Sequence, residues 1–430
     1  MALHQILFYL LVLFLPIQLG RHFWPSWTYI FGLRIDYLSP TVYLTDLLII
    51  AVLISWGFSG SRSKEERFFK NKKRLIPLGF VFGFLIINCY LAQNQGAAFY
   101  KFVKIIELIF LGFYLSKNRF SFSLISSISS LLAIGIFFSG FVALGQFLKA
   151  SSLGGLFWWL GERTFNISTP GIARGVFRER IFLRPYSIFS HPNSLAGYLL
   201  VSSILTLPAL FQKNKFLVFI SLAFMTLIFV LTDSWSAWMV GGLIIFFGFL
   251  GFFLKNRNWE SGLVKGFFPM GFFLSFFLFT TFYHRFSLKK DSLDKRVILN
   301  RVAIKLISRR PIMGVGLNNF IPAMSRQDPI IGQSYWLQPV HNLYLLILAE
   351  TGVIGLGLFL VFIAKSYQRL FSGSCRKDRL AKPGRPSFRF CLGGCLTAIL
   401  LLGLFDHYWL TLQQNQILMT LVLGLIWQEP

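Results

Sequence analysis

The sequence predicts an all-α, polytopic membrane protein of about twelve transmembrane helices, and three observations predict it. Apolar residues fall into long runs rather than being spread along the chain. Hydrophobic residues make up 55% of the chain and charged residues only 13%, with a mean hydropathy of +0.63. Lys and Arg are divided unevenly between alternate connections. A soluble chain of 430 residues would carry roughly twice that charged fraction. No segment is long and polar enough to form a separate soluble domain, so residues 1–430 are read as one membrane domain.

A helical span needs about twenty apolar residues. Such runs lie near 5–20, 40–58, 75–93, 99–115, 121–148, 192–211, 215–232, 235–254, 263–283, 341–364, 388–405 and 415–427. The first, Met1 to Gly20, has no basic n-region and no small-residue cleavage site, and reads as a retained helix. The cysteines Cys89, Cys375, Cys391 and Cys395 suggest neither a disulfide framework nor a metal-ligand cluster.

The net charge of +26 would suggest nucleic acid in a soluble protein. Here topology explains most of it, and no nucleic-acid partner is expected. With 59–74 and 365–389 on the cytoplasmic side, that side receives 22 basic residues, while the short outward loops hold Arg21, Arg34, Lys101 and Lys104. Both termini are then cytoplasmic, in a multi-pass inner-membrane protein. The other sixteen basic residues lie on two long outward segments, a basic loop at 149–191 and a longer one at 284–340. Long loops escape the topological rule, so this excess needs its own reason. Anionic membrane lipids are one, and an anionic substrate on the outer face is the other.

The outward segments hold the candidate functional residues. Arg180 and Arg184 precede Ser190-His191-Pro192-Asn193-Ser194 at the start of the sixth span. Pro192 suits a first helical turn, and His191, Asn193 and Ser194 can cap it. Capping leaves Arg184 unexplained. A helix is predicted over Asp291 to Ser308, ended by Pro311. Asp294, Arg301 and Lys305 form a solvated stripe on it, whereas Arg296 shares a face with Leu293, Leu299, Ala303, Ile304 and Ile307. An arginine on an apolar face is costly without an anion, which makes Arg296 the first phosphate candidate and Arg301 the second. Guanidinium groups bind phosphate oxygens bidentately and stay charged.

The Gly314-x-Gly316 that follows comes after a helix and lacks a third glycine. It reads as a tight turn rather than a nucleotide loop. His341 and Asn342 open the tenth span, where a histidine can exchange a proton near neutral pH. Glu350 lies deeper, about 13 Å along the helix axis, and must face protein.

Four stretches in order, Arg184 to Ala196, Pro311 to Phe320, His341 to Gly355 and Asp406 to Gln414, resemble the O-antigen ligase and O-antigen polymerase family. The resemblance implies a GT-C-like helical fold and a metal-independent glycosyltransferase with no cofactor. It implies transfer of a glycan from an undecaprenyl-diphosphate carrier to a hydroxyl of a lipid, glycan or protein acceptor, in polysaccharide biosynthesis at the cell envelope. Matched to its motifs, the diphosphate-holding arginines are Arg184 and Arg296 and the acceptor's histidine is His341. Arg301, His191, Asn193, Asn342, Arg180 and Asp406 are expected to line the substrate. Where the family usually has Ser-Arg after the seventh span, this chain reads Asp233-Ser234-Trp235-Ser236. The competing reading is a transporter or flippase of lipid-linked glycans. Those proteins place charges on interrupted helices at the bilayer midplane, whereas few deep charges occur here (Asp46, Glu107 and Glu350).

Overall fold

A computed structural model describes residues 2–59, 72–118, 122–177, 180–210, 215–255, 290–327, 337–372 and 388–428. The predicted span at 263–283, Arg178, Cys375 and most of both basic connections fall outside the described residues. Helices dominate. They run α1 (Leu3–Leu13), α2 (Leu44–Phe58), α3 (Lys72–Tyr90), α4 (Gln95–Lys117), α5 (Phe122–Lys149) and the short α6 (Leu156–Trp159). After these come α7 (Pro192–Leu210), α8 (Lys215–Leu231), α9 (Trp235–Lys255), α10 (Lys290–Arg309) and α11 (Phe320–Gln327). The last are α12 (Leu343–Phe371), α13 (Phe388–Gly403), the short α14 (Tyr408–Thr411) and α15 (Gln413–Ile426). Among the described residues, Ser127–Lys149 and Leu343–Phe371 are long and apolar enough to cross a membrane, and six shorter apolar helices accompany them.

One expectation needs correction. The first run does not stay helical to residue 20: α1 stops at Leu13, three residues before Pro16, whose ring disfavours helix in the residue before it. Within this mostly helical chain, the connections between helices also form short antiparallel hairpins. The strand β1 (Gly20–His22) pairs with β4 (Thr41–Tyr43), β2 (Tyr29–Ile30) with β3 (Leu33–Arg34), and β5 (Arg174–Phe177) with β6 (Arg180–Leu183).

The residues divide into two compact units. The first contains 1–119, 295–372 and 406–430. Its core packs Leu299, Ala303 and Leu306 of α10 against Phe320, Ile321 and Met324 of α11 and Leu346 and Ala349 of α12. The predicted tight turn docks here. Gly352 breaks α12 at φ 65°, and the break is filled by the loop after α10. Val315 and Gly316 donate to the carbonyls of Ala349 and Glu350, and Val353 donates to that of Pro311, each at 2.9 Å. Gly314 and Gly316 also have positive φ, and a side chain on Gly314 would strike the backbone of Glu350.

The Glu350 carboxylate accepts the N–H groups of Asn318 (3.0 Å) and Phe320 (3.2 Å), at the start of α11. It therefore faces protein, as its depth requires. Asn88 and Asn319 close the network: Asn88 donates to the Met313 carbonyl at 2.6 Å, and Asn319 exchanges hydrogen bonds with the Asn94 backbone. Elsewhere in this unit Lys104 is buried on α4, ion-paired with Asp46 and 3.6 Å from Glu107. Lys101 is on the same helix. Both lysines were expected on a loop, and their side chains instead turn into the unit.

The second unit contains 120–294 and 373–405. Gln146 near the end of α5 organises the segment that follows. Its Oε1 accepts from the backbone of Tyr186 and Ser187, and its Nε2 donates to Glu162 and to the Ser187 carbonyl. Pro192 does open α7, and His191 caps it: Nδ1 accepts the Asn193 N–H at 3.1 Å. Cys391 and Cys395 in this unit, and Cys89 in the first, are buried free thiols.

Candidate active site

The predicted residues divide between the units. Arg184, His191, Asn193 and Arg180 lie in the second. Arg184 is buried, donating from Nε to the Thr232 carbonyl and from Nη2 to Asn193 Oδ1, both at 2.7 Å. These bonds tie the loop end to the start of α7 and the end of α8, which accounts for the arginine that capping alone left unexplained. Arg180 is exposed on β6.

The first unit holds the other candidates and brings three of them together. Arg296 is half-buried on α10, one turn before fully buried Leu299. Arg301, Asp294 and Lys305 are exposed, as the solvated stripe requires. Leu293 and Ile304 do not belong to the buried face, being 42% and 59% exposed. At 100° per residue they fall beyond the edge of the arc that Arg296, Leu299, Ala303 and Leu306 define. Asn342 caps α12, its Oδ1 accepting the Leu345 N–H at 2.9 Å, and this fixes His341 immediately before the helix.

The His341 ring lies 5.3 Å from that of His407, with the planes at 66°. His407 is buried just beyond Asp406, also buried, whose Oδ1 accepts the His407 N–H at 2.9 Å. Nδ1 of His407 sits 2.8 Å from Thr411 Oγ1, the edge of Tyr37 packs on its ring at 5.6 Å, and its Nε2 is 4.0 Å from Asp406 Oδ1. Lys101 reaches the same region from α4, donating to the Leu410 carbonyl.

The electrostatics follow from this crowding. Burial, reinforced by the Arg296 charge, lowers the pKa of His341, and Asp406 opposes it in part. His407 is lowered to about 3, chiefly by burial, with His341, Arg296 and Lys101 adding to the effect. Both rings are therefore neutral at pH 7. His341 Nδ1 is shut off from solvent and has no hydrogen-bond partner among the described residues. A neutral imidazole with an unused nitrogen beside a fixed cation can accept a proton while an anion is held nearby.

Sequence reading missed His407, Tyr37 and Lys101. His407 adjoins a chosen residue, and its ring partner is distant in sequence. Lys101 was counted among loop charges, although its place on an apolar helix was a signal that it must turn inward. Among the described residues, His341, Asp406 and His407 offer ligand atoms within 4.8 Å of one another and could hold an ion.

Comparison with curated proteins gives no match. A family model described as O-antigen ligase matches residues 220–360, about a third of the chain. The matched region includes Arg296, the docking loop after α10, His341 and α12 through its break as far as residue 360, and stops short of Asp406. This O-antigen ligase domain at residues 220–360 supports the resemblance to the O-antigen ligase and polymerase family of envelope polysaccharide biosynthesis.

Proposed function

We propose that the protein transfers a glycan from an undecaprenyl-diphosphate carrier to an acceptor hydroxyl on the outer face of the cytoplasmic membrane, without a metal. The observation that carries this reading is the grouping of Arg296, His341, Asp406 and His407 in one largely buried cluster. The acceptor oxygen attacks the anomeric carbon as the bond from that carbon to the diphosphate breaks. Its proton passes to His341, and the carrier diphosphate departs with the bonding electrons. Arg296 stabilises the charge that develops on the diphosphate. Asp406 compensates the positive charge His341 acquires, which burial would otherwise oppose. Arg184 enters this reading through the family resemblance, and its buried bonds make it a fixed guanidinium at the end of the outward loop.

The broken helix α12 is the feature a transporter reading would use, since interrupted helices there expose backbone groups to substrate. Here Pro311, Val315 and Gly316 of the chain itself take up those groups, which favours a structural break. Purified protein given a lipid-diphosphate glycan and an acceptor, with no ion gradient, should form the transferred product. Movement of the lipid across vesicles with no new glycosidic bond would overturn the reading.

A further inference from the structure

We propose that the first unit carries a saccharide-binding groove, formed by the β2–β3 hairpin, the start of α4 and α11, that takes sugar rings of the transferred glycan. It rests on the glycan-transfer reading above. The groove has a volume of about 440 Å³, and its lining includes Trp27, Tyr29, Phe31, Gln93, Gln95 and Arg326. That size suits a small organic ligand.

Three aromatic rings are presented there by different means. Trp27 lies against Gly96, where any side chain would collide with the indole, and the Trp27 carbonyl accepts from Asn94 Nδ2 at 2.8 Å. The Tyr29 hydroxyl accepts from Arg34 Nε at 3.3 Å. Phe31 occupies the tip of the hairpin with φ 52°, beside Gly32 at φ 77°. Both central residues of this turn need positive φ, so Asn or Gly is the ordinary occupant of the first. A bulky aromatic there is strained, yet its side chain is 57% exposed and gains little packing. Strain held without compensating burial points to a ligand.

The polar lining selects the ligand class. Gln93 and Arg326 make no side-chain hydrogen bond or ion pair among the described residues, and Gln95 uses Nε2 on the Tyr90 carbonyl, leaving Oε1. Amides and a guanidinium can bind hydroxyls, while the C–H faces of sugar rings lie on aromatic faces. A diphosphate would need more than one cation, and an acyl chain would leave these polar groups unpaired.

Two elements that line the groove also lead to the reacting group. The segment that supplies Trp27 to Phe31 continues to Tyr37, which packs on His407. Lys101 follows Gln95 on α4 by about 9 Å along the axis.

The test uses full-length protein in detergent. The probe is the oligosaccharide released by mild acid from the host's own lipid-diphosphate pool, and binding is followed by tryptophan fluorescence. Phe31→Asn keeps the turn, because Asn accepts positive φ, and should raise Kd about three- to tenfold. Arg326→Ala should act in the same direction. Both variants should raise KM for the lipid-linked donor and leave kcat unchanged. Wild-type protein that does not bind the oligosaccharide, or variants that bind like wild type per folded molecule, would overturn the groove. Failure of wild-type transfer would instead count against the enzymatic reading, since oligosaccharide binding is measured independently of turnover.

Discussion

Two histidines whose ring centres are 5.3 Å apart beside an arginine cannot both be positively charged in a buried site. His407 is held neutral by position, fixed between Thr411 and Tyr37, whereas His341 keeps a nitrogen without a partner. In the proposed reaction, this asymmetry favours His341 over His407 as the proton acceptor. His341→Ala should lower kcat about 10²- to 10⁴-fold while folding and donor binding stay near normal. Arg296→Ala should lose donor binding, Arg296→Lys should recover only part of it because an ammonium lacks the bidentate fork, and Arg301→Ala should be milder. Equal losses at Arg296 and Arg301, measured as donor affinity, would show that the exposed stripe is used instead. The pH dependence has a defined sign. A folded pKa below 6.5 keeps His341 neutral through pH 6.5, so the acid limb of kcat should fall below that value. His407, lowered to about 3, contributes stability that is complete above pH 6.5 and is lost as pH falls from there toward 3. Chelation should leave turnover unchanged. Loss on chelation, restored by one added ion, would reassign His341, Asp406 and His407 from proton handling to ligation.

At the scale of elements, the site depends on α12 being broken at one residue. Its first turns position His341 and its remainder spans the hydrophobic length, and the loop after α10 fills the gap between them. Gly352→Ala should therefore cost about 1–3 kcal/mol or more, because it adds strain at positive φ and a collision with the Ile312 carbonyl. Gly357→Ala on the same helix has open space around it and should be neutral or stabilising by up to about 1 kcal/mol. Thermal unfolding of both variants in one detergent checks the pair. His191→Ala should cost about 0.5–2 kcal/mol by removing a cap, lowering yield more than activity per folded molecule. Much of this architecture was legible in the sequence. Asp291 to Ser308 was read as a helix and Lys290–Arg309 is one, because apolar periodicity and Pro311 bound it. The tight turn at Gly314 and Gly316 was legible from residue type. The hairpins were not, since strands of two to four residues carry no alternation long enough to detect. The contact of His341 with His407 was also hidden, because spacing along the chain says nothing of contacts between separate helices.

For the whole molecule, the proposed arrangement across the membrane rests on charge. Lys and Arg in short loops stay on the cytoplasmic side, and 22 of them fall on connections that alternate with loops holding four. The inward turn of Lys101 and Lys104 strengthens the asymmetry, because neither is then a loop charge. The proposed chemistry needs α10 and His341 outside, where the lipid-linked donor is presented and ATP is absent. Ser292 at the start of α10 and Ser372 just after α12 should therefore lie on opposite sides. The native thiols Cys89, Cys391 and Cys395 are buried and should contribute little background, while Cys375 adjoins the second position and should first be changed to Ser. In that background, Ser292→Cys should react with a membrane-impermeant thiol reagent added to intact cells, and Ser372→Cys only after permeabilisation. Both variants should be matched for transfer activity, so that labelling reports the folded protein. The reverse pattern, with Ser372→Cys labelled from outside and Ser292→Cys protected, would place Arg296 and His341 on the cytoplasmic face and remove the outer-face reaction altogether.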